Sequence, residues 1–274
     1  MILGVVGKGG SGKSTVSTLL IRALAKKGTV LGIDADHNMD LTYNFGNPEM
    51  NYIGGTINEA KKTAGISPDV GYKMLFDQAE VAHAFSLSPK DPYTEVFTVA
   101  ISDTISLMSA GPQTDAVLYD QMCSHSLFSS LKLYLPLLEV KDGEYVVVDE
   151  KAGADGVTTG IVSGFDCALI VCESAEHSVK VANQIAQYVK FFDVPYEFIV
   201  NKYNPESPKN VFLEGLTKNP LCMIPLTLDP LSETVFPEDS LAYLKEIYGI
   251  SSGRMDRTRK RLQQNALYRA LKQK

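Results

Sequence analysis

Seven short apolar runs constrain this chain more than any other feature: ILGVV, TVLGID, ISLMSA, YVVVDE, CALIVC, YEFIVN and LCMIP. A run that is apolar without alternation suits a strand covered on both faces, the usual situation in a parallel sheet. Parallel strands need crossover connections of a dozen residues or more, and the intervening segments are long enough to supply them. Residues 14–27 place Val16, Leu19, Leu20, Ala23 and Leu24 on one helical face, with Gly28 as the stop. The stretch AEHSVKVANQIAQYVKFF repeats the pattern with Val179, Ala182, Ile185, Ala186 and Val189. This alternation predicts an α/β, doubly wound, mostly parallel sheet with helices on both faces. The expected organisation is one domain over residues 1–253, with a basic C-terminal helix over 254–274 packed on it or appended. A chain of 274 residues at 45% hydrophobic content can bury such a core. Residues 50–103 are the least regular, a mixture of helix and loop to which the sequence assigns no chemistry.

The first run leads into GKGGSGKST, residues 7–15, which fits the phosphate-loop pattern G-x-x-x-x-G-K-[ST] from Gly7 to Ser14. A strand before it and an amphipathic helix after it are the context this motif requires. Backbone N–H groups of Gly9, Gly10, Ser11, Gly12, Lys13, Ser14 and Thr15 are expected to close around phosphate oxygens at a helix N-terminus. Lys13 would reach the β- and γ-phosphates, and the Ser14 hydroxyl would face Mg²⁺. The fold class is therefore that of a phosphate-loop NTPase. Lys8 is a second lysine at the mouth of the loop, which phosphate binding alone does not explain.

K-G-G-x-G-K-[ST] resembles the deviant Walker A motif of the dimeric ATPases that include the nitrogenase iron protein, the Min and Par positioning ATPases and several metal-insertion ATPases. The resemblance implies a homodimer that closes over ATP. Lys8 would cross to the partner's nucleotide and stabilise phosphoryl charge as an arginine finger does. Further landmarks follow in the family's order. GIDADHNMDL resembles the first switch, with Asp36 orienting the attacking water or touching the Mg²⁺ shell and Asp34 supporting it. VVVDEKAGADG resembles the second switch, with Asp149 holding Mg²⁺ through water and Gly153 swinging to the γ-phosphate. IVNKYN places Asn201 and Lys202 where the family recognises adenine, and IPLTLDP resembles the strand end whose Pro225 neighbours the base. The implied catalytic set is Lys8, Lys13 and Asp36, and the implied magnesium set is Ser14, Asp36 and Asp149.

Within that family the chain looks closest to the nickel-insertion ATPases that mature carbon monoxide dehydrogenase. Those factors carry Cys-x-Cys where this chain has Cys123-Ser124-His125. Two such pairs across a two-fold axis would supply two thiolates and two imidazoles at the dimer interface, a set suited to Zn²⁺ or, in square-planar geometry, Ni²⁺. Cys167 and Cys172 would face opposite sides of one strand, and with Cys222 they read as buried small hydrophobes. His37, inside the first switch, reads as a solvated loop residue, and His83 and His177 have no partner legible in the sequence. The second switch, Glu150-Lys151-Ala152-Gly153, has no cysteine. This argues against the cluster-bearing electron-transfer role of the nitrogenase iron protein.

A net charge of −6 and a pI near 5.3 do not suit a general nucleic-acid binder. The charge is uneven, since residues 254–274 hold eight Lys/Arg and one Asp. Met255, Leu262, Ala266, Leu267, Ala270 and Leu271 recur there at helical spacing, which predicts a C-terminal helix packed on the domain with a solvated basic face. No run is long enough to span a bilayer, the N-terminus lacks the features of a signal peptide, and four cysteines do not make a disulfide framework. The expected location is cytoplasmic. The functional expectation is a Mg²⁺-dependent homodimeric ATPase whose cycle delivers a metal, nickel foremost, to a client metalloenzyme such as carbon monoxide dehydrogenase. Its alternative is a Min- or Par-type positioning ATPase that binds membrane or DNA through the basic tail. Of the two, no stable nucleic-acid or membrane partner is favoured.

Overall fold

A computed structural model describes residues 1–71, 84–121, 123–249 and 253–272; His83 lies outside them. Among these residues the strands are β1 (Ile2–Gly7), β2 (Thr29–Ala35), β3 (Phe85–Ser86), β4 (Val99–Ala100), β5 (Ile105–Ser109), β6 (Leu138–Glu139), β7 (Glu144–Glu150), β8 (Cys167–Cys172), β9 (Tyr196–Tyr203) and β10 (Cys222–Pro225). The helices are α1 (Lys13–Leu24), α2 (Asp40–Asn44), α3 (Ile57–Thr63), α4 (Pro92–Phe97), α5 (Asp115–Leu118), α6 (Ser129–Leu137), α7 (Ala154–Thr158), α8 (Glu176–Phe191), α9 (Pro230–Glu233), α10 (Glu238–Tyr248) and α11 (Arg254–Lys272).

Eight strands form one sheet in the order β10-β9-β8-β1-β7-β2-β5-β4. The seven apolar runs are its seven parallel strands. The eighth, β4, is an antiparallel edge of two residues, and β3 pairs with β6 in a separate small ladder. Period-two alternation divides the core. Leu3, Val5, Val147 and Leu169 pack with the apolar face of α1 and with Leu241 and Leu244 of α10. Ile2, Val6, Val148 and Ile170 pack on the other side with α6, α8 and Leu262 of α11. Cys167 falls in the first cluster and Cys172 in the second, as their spacing requires.

The C-terminal helix departs from its expected posture. Its apolar Met255 and Leu262 pack on the core, but several arginines also turn inward. Arg254 Nη1 donates to both carboxylate oxygens of Asp166 at 2.9 Å, and its Nη2 donates to the carbonyl of Leu138. Arg257 donates to the Phe165 carbonyl, and Arg261 to that of Gly160 at 3.1 Å. Asp166 also accepts the Ile2 backbone N–H at 2.7 Å, so the pair locks α11 to the start of the central strand. A guanidinium presents several donors in a fixed fork, and here these reach the backbone carbonyls of Leu138, Phe165 and Gly160. The basic face is solvated in part only. Among the described residues, no helix is long and apolar enough to cross a membrane.

Candidate functional site

Parallel strands open their C-terminal ends on one edge of the sheet, and the phosphate loop leaves β1 there. Gly10 and Gly12 hold φ of 80° and 84°. A Cβ on Gly12 would sit 2.2 Å from Nδ2 of Asn201, so this position requires glycine by both conformation and space. Asn201 Nδ2 donates to the Ser11 carbonyl at 2.9 Å, and Lys202 Nζ donates to the Gly10 carbonyl at 2.7 Å. Lys202 also pairs with Glu173 at 2.6 Å. The two residues at the end of β9 thus brace the loop from outside. Pro225 ends β10, exposed, opposite Tyr203. Gly153 N–H donates to the Gly7 carbonyl at 2.8 Å, tying the segment after β7 to the start of the loop.

Sheet register sets the carboxylates. Asp149 of β7 lies opposite Val5 of β1 on one side and Asp34 of β2 on the other. Asp34, Asp149 and Glu150 are each 1% exposed. Burial pushes Asp34 up to about 6, against hydrogen bonds from the Thr42 backbone and hydroxyl and the Asp36 amide. Burial pushes Asp149 up to about 7; Asp34's charge adds to this, while the hydroxyls of Ser14 and Ser17 and the ammonium of Lys13 oppose it. Ser17 donates to Asp149 Oδ1 at 2.9 Å, and Oδ2 is buried with no hydrogen-bond partner. Buried carboxylate oxygens normally have a partner. An orphan beside Ser14 and Lys13, at the foot of a phosphate loop, fits a hydrated divalent cation. Asp36 is half-buried, and its Oδ1 accepts the Asn38 amide at 3.1 Å.

Glu150 is a site residue that the motifs did not identify. Burial pushes it up to about 8; Thr159 donates to its Oε1 at 3.0 Å, and Oε2 has no partner. Lys132 of α6 faces it, and burial lowers that ammonium to about 8. Ser17 is a second such residue; its place one helical turn after Ser14 was the available signal.

Lys8 is half-buried at the rim, where its Nζ contacts the Gly9 carbonyl at 3.4 Å. Cys123 and His125 flank the start of a 3₁₀ turn, Ser124–Phe128, with Sγ 3.3 Å from Nδ1. The backbone turn that would let both face one ion is therefore present. Among the described residues, no group of three or more His, Cys, Asp or Glu side chains is arranged to hold a metal ion. Cys123 is exposed, and the other three cysteines are free and buried. His37 departs from the solvated loop residue expected. Its Nδ1 lies 2.9 Å from the Gly111 carbonyl, and its ring packs at 4.7 Å on Phe128, the last residue of the turn that carries Cys123.

Residues 2–228 match the model of the CobQ/CobB/MinD/ParA nucleotide binding domain. An uncharacterized ATP-binding protein of Methanocaldococcus jannaschii is 28% identical over 258 residues, covering 90% of this chain and 96% of its own. The carbon monoxide dehydrogenase accessory protein CooC of Rhodospirillum rubrum is 31% identical over 192 residues, 68% of this chain and 67% of its own. The septum site-determining protein MinD of Pyrococcus horikoshii, solved with Mg-ADP, superposes with a TM-score of 0.55 at 17% identity, covering 97% of this chain and 96% of that one.

Proposed function

The chain belongs to the CobQ/CobB/MinD/ParA family of nucleotide-binding domains, and we propose that it is a Mg²⁺-dependent ATPase that acts as a homodimer to deliver a metal ion to a client metalloenzyme. The observation that carries the ATPase reading is the convergence of the phosphate loop, Lys13, Ser14 and the orphaned Oδ2 of Asp149 at the ends of β1 and β7. Loop amides and Lys13 hold the phosphates. Ser14, Asp36 and Asp149 would hold Mg²⁺, which neutralises phosphate charge when bound. Asp36 orients the water that attacks the γ-phosphorus as the bond to the bridging oxygen breaks, leaving ADP and phosphate. Lys8 would reach the nucleotide of the second chain; within its own chain its Nζ contacts the Gly9 carbonyl.

The delivery reading rests on the Cys123–His125 pair and on the likeness to a carbon monoxide dehydrogenase accessory protein. Each chain brings one thiolate and one imidazole, and a second chain completes four donors for a Ni²⁺ or Zn²⁺ cargo. His37 packed on Phe128 joins the first switch to the turn carrying Cys123, so hydrolysis has a physical path to the cargo loop. The test is native mass spectrometry of the ATP-locked and ADP-bound protein, titrated with Ni²⁺ or Zn²⁺, beside Cys123→Ser. One ion per dimer is expected, dependent on nucleotide and absent from the variant. A dimer that closes on ATP yet holds no ion keeps the ATPase and removes the delivery role. The positioning reading then takes its place, and it predicts ATP-dependent co-sedimentation with DNA or anionic liposomes, lost on truncation at Gly253. Against it stand Arg254, Arg257 and Arg261, which are engaged on the domain.

A further inference from the structure

We infer that Glu173 is a positioning residue for nucleotide binding: its carboxylate holds the Lys202 ammonium on the Gly10 carbonyl and so fixes the phosphate loop. The inference rests on the ATP-binding reading above. Its place is the phosphate end of the site, and a base held by the ends of β9 and β10 is compatible with it. Lys202 lines a cleft of about 340 Å³ beside Gly10, Gly12, Lys13 and Ser14. Its Nζ donates to the Gly10 carbonyl at 2.7 Å and to Glu173 Oε1 at 2.6 Å. Glu173 directly follows β8, where Cys172 pairs with Val200 of β9. Its own N–H donates to the Ser178 hydroxyl at 3.0 Å, which ties its backbone to the first turn of α8.

Two features tie this ion pair to the loop. Successive side chains of a strand point to opposite faces, yet Asn201 and Lys202 both reach the loop, at the Ser11 and Gly10 carbonyls. Lys202 holds φ of 55°, in the left-handed region that a residue with a Cβ rarely occupies. That turn of the backbone breaks the alternation, and strain of this kind clusters at functional sites. The second feature is the peptide itself. A trans peptide is planar, so its C=O and N–H point in opposite directions. With the Gly10 carbonyl held on Lys202, the Ser11 N–H faces the other way, where it donates to the Lys8 carbonyl at 3.2 Å and closes the turn of the loop. Without the Glu173 carboxylate the ammonium can leave that carbonyl for water or phosphate, and the Gly10–Ser11 peptide loses its anchor.

The experiment measures the affinity of the full chain for ATP and for inorganic tripolyphosphate, in Mg²⁺, for wild type, Glu173→Gln, Glu173→Asp, Lys202→Met and the double variant Glu173→Gln with Lys202→Met. A carboxylate beside an anion site repels the anion, so charge alone predicts tighter binding once Glu173 is neutral. Positioning predicts the opposite. Glu173→Gln is expected to weaken both ligands alike, by about fivefold, the upper scale for a partly exposed ion pair, and to keep the melting temperature. Glu173→Asp, which retains the carboxylate, is expected to bind within about twofold of wild type. Added to Lys202→Met, Glu173→Gln is expected to cost nothing further, because Glu173 acts through Lys202. Unchanged or tighter binding in Glu173→Gln would overturn the inference with ATP binding left standing. So would losses that simply add in the double variant, a loss confined to ATP, a Glu173→Asp as weak as Glu173→Gln, or a melting temperature that falls with the affinity. Wild type that binds neither ligand removes the ATP reading itself, and the inference with it.

Discussion

The inner crevice and its outer rim are built on opposite terms. Inside, sheet register sets Asp34 beside Asp149, Glu150 follows on β7, and all three are buried with a donor from their own chain. At the rim, Lys8 contacts the carbonyl of Gly9, and Cys123 and His125, the proposed metal donors, number two where a tetrahedral site needs four. The crevice draws its donors from one chain, whereas the rim, on the proposed reading, would need a second chain to become a site. On the proposed mechanism, nucleotide binding is a property of the monomer, while turnover and cargo binding would belong to the dimer.

The sharpest way to break that division is at the two lysines of one loop. Lys8→Ala is expected to lower ATP turnover by about 10³-fold or more, the scale of a finger supplied in trans, while ATP still binds. Lys13→Ala is expected to lose binding itself. Steady-state hydrolysis beside equilibrium binding separates them, and Lys8→Ala turning over at the wild-type rate would sink the dimeric mechanism.

Next in size is the anchor of the C-terminal helix. Arg254 and Asp166 are both 4% exposed, and removing Arg254 leaves the Asp166 carboxylate buried without its ion-pair partner. Arg254→Met is expected to cost about 3–5 kcal/mol of unfolding free energy, read by urea denaturation. A loss near zero would mean that α11 is an appendage, and would return its arginines to a partner.

These two predictions also mark what the sequence could and could not reveal. The seven parallel strands were legible because each is a continuous apolar run, and the loop because Gly12 and Lys13 are neighbours in sequence. The edge strand Val99–Ala100 is too short to carry a period. Glu150 and Ser17 escaped notice because their roles come from packing across 9 and 132 positions, not from spacing. Arg254 was assigned outward because a hydropathy pattern counts every arginine as solvated, whereas its carboxylate lies 88 residues away.

A smaller effect tests whether the crevice is tuned for a bound cation. In the metal-free protein, Asp149 and Glu150 keep protons up to about 7 and about 8, which the unfolded chain releases near ~4. Through these two carboxylates the folded state binds more protons, so their contribution to stability falls as pH rises from ~4 to ~8, opposed above ~6 by the buried Met1 amino group, which burial lowers to about 6. Wild type is expected to lose more than about 1 kcal/mol between pH 5 and pH 8. Glu150→Gln, with no carboxylate to ionise there, is expected to lose less. Urea midpoints at the two pH values measure it, and a wild-type curve that rises instead would mean that these carboxylates are hydrated.

The finest test asks whether crevice and rim communicate. Cys123 is the one exposed cysteine, so the rate of its alkylation reports on the rim alone. His37 leaves the first switch to pack on Phe128, and that ring closes the turn that begins beside Cys123. If this contact carries the nucleotide state, ATP and ADP should give different alkylation rates in wild type. Phe128→Leu keeps an apolar side chain in the pocket but removes the ring that His37 meets. It is expected to shrink the ATP/ADP rate ratio by about threefold, within the ~0.5–2 kcal/mol span of a single coupling contact. ATP affinity should be unchanged, because Phe128 is not among the residues that line the phosphate-loop cleft. A ratio that persists in Phe128→Leu would route the signal elsewhere, and Glu150 facing Lys132 on the adjoining helix is the connection then left to carry it.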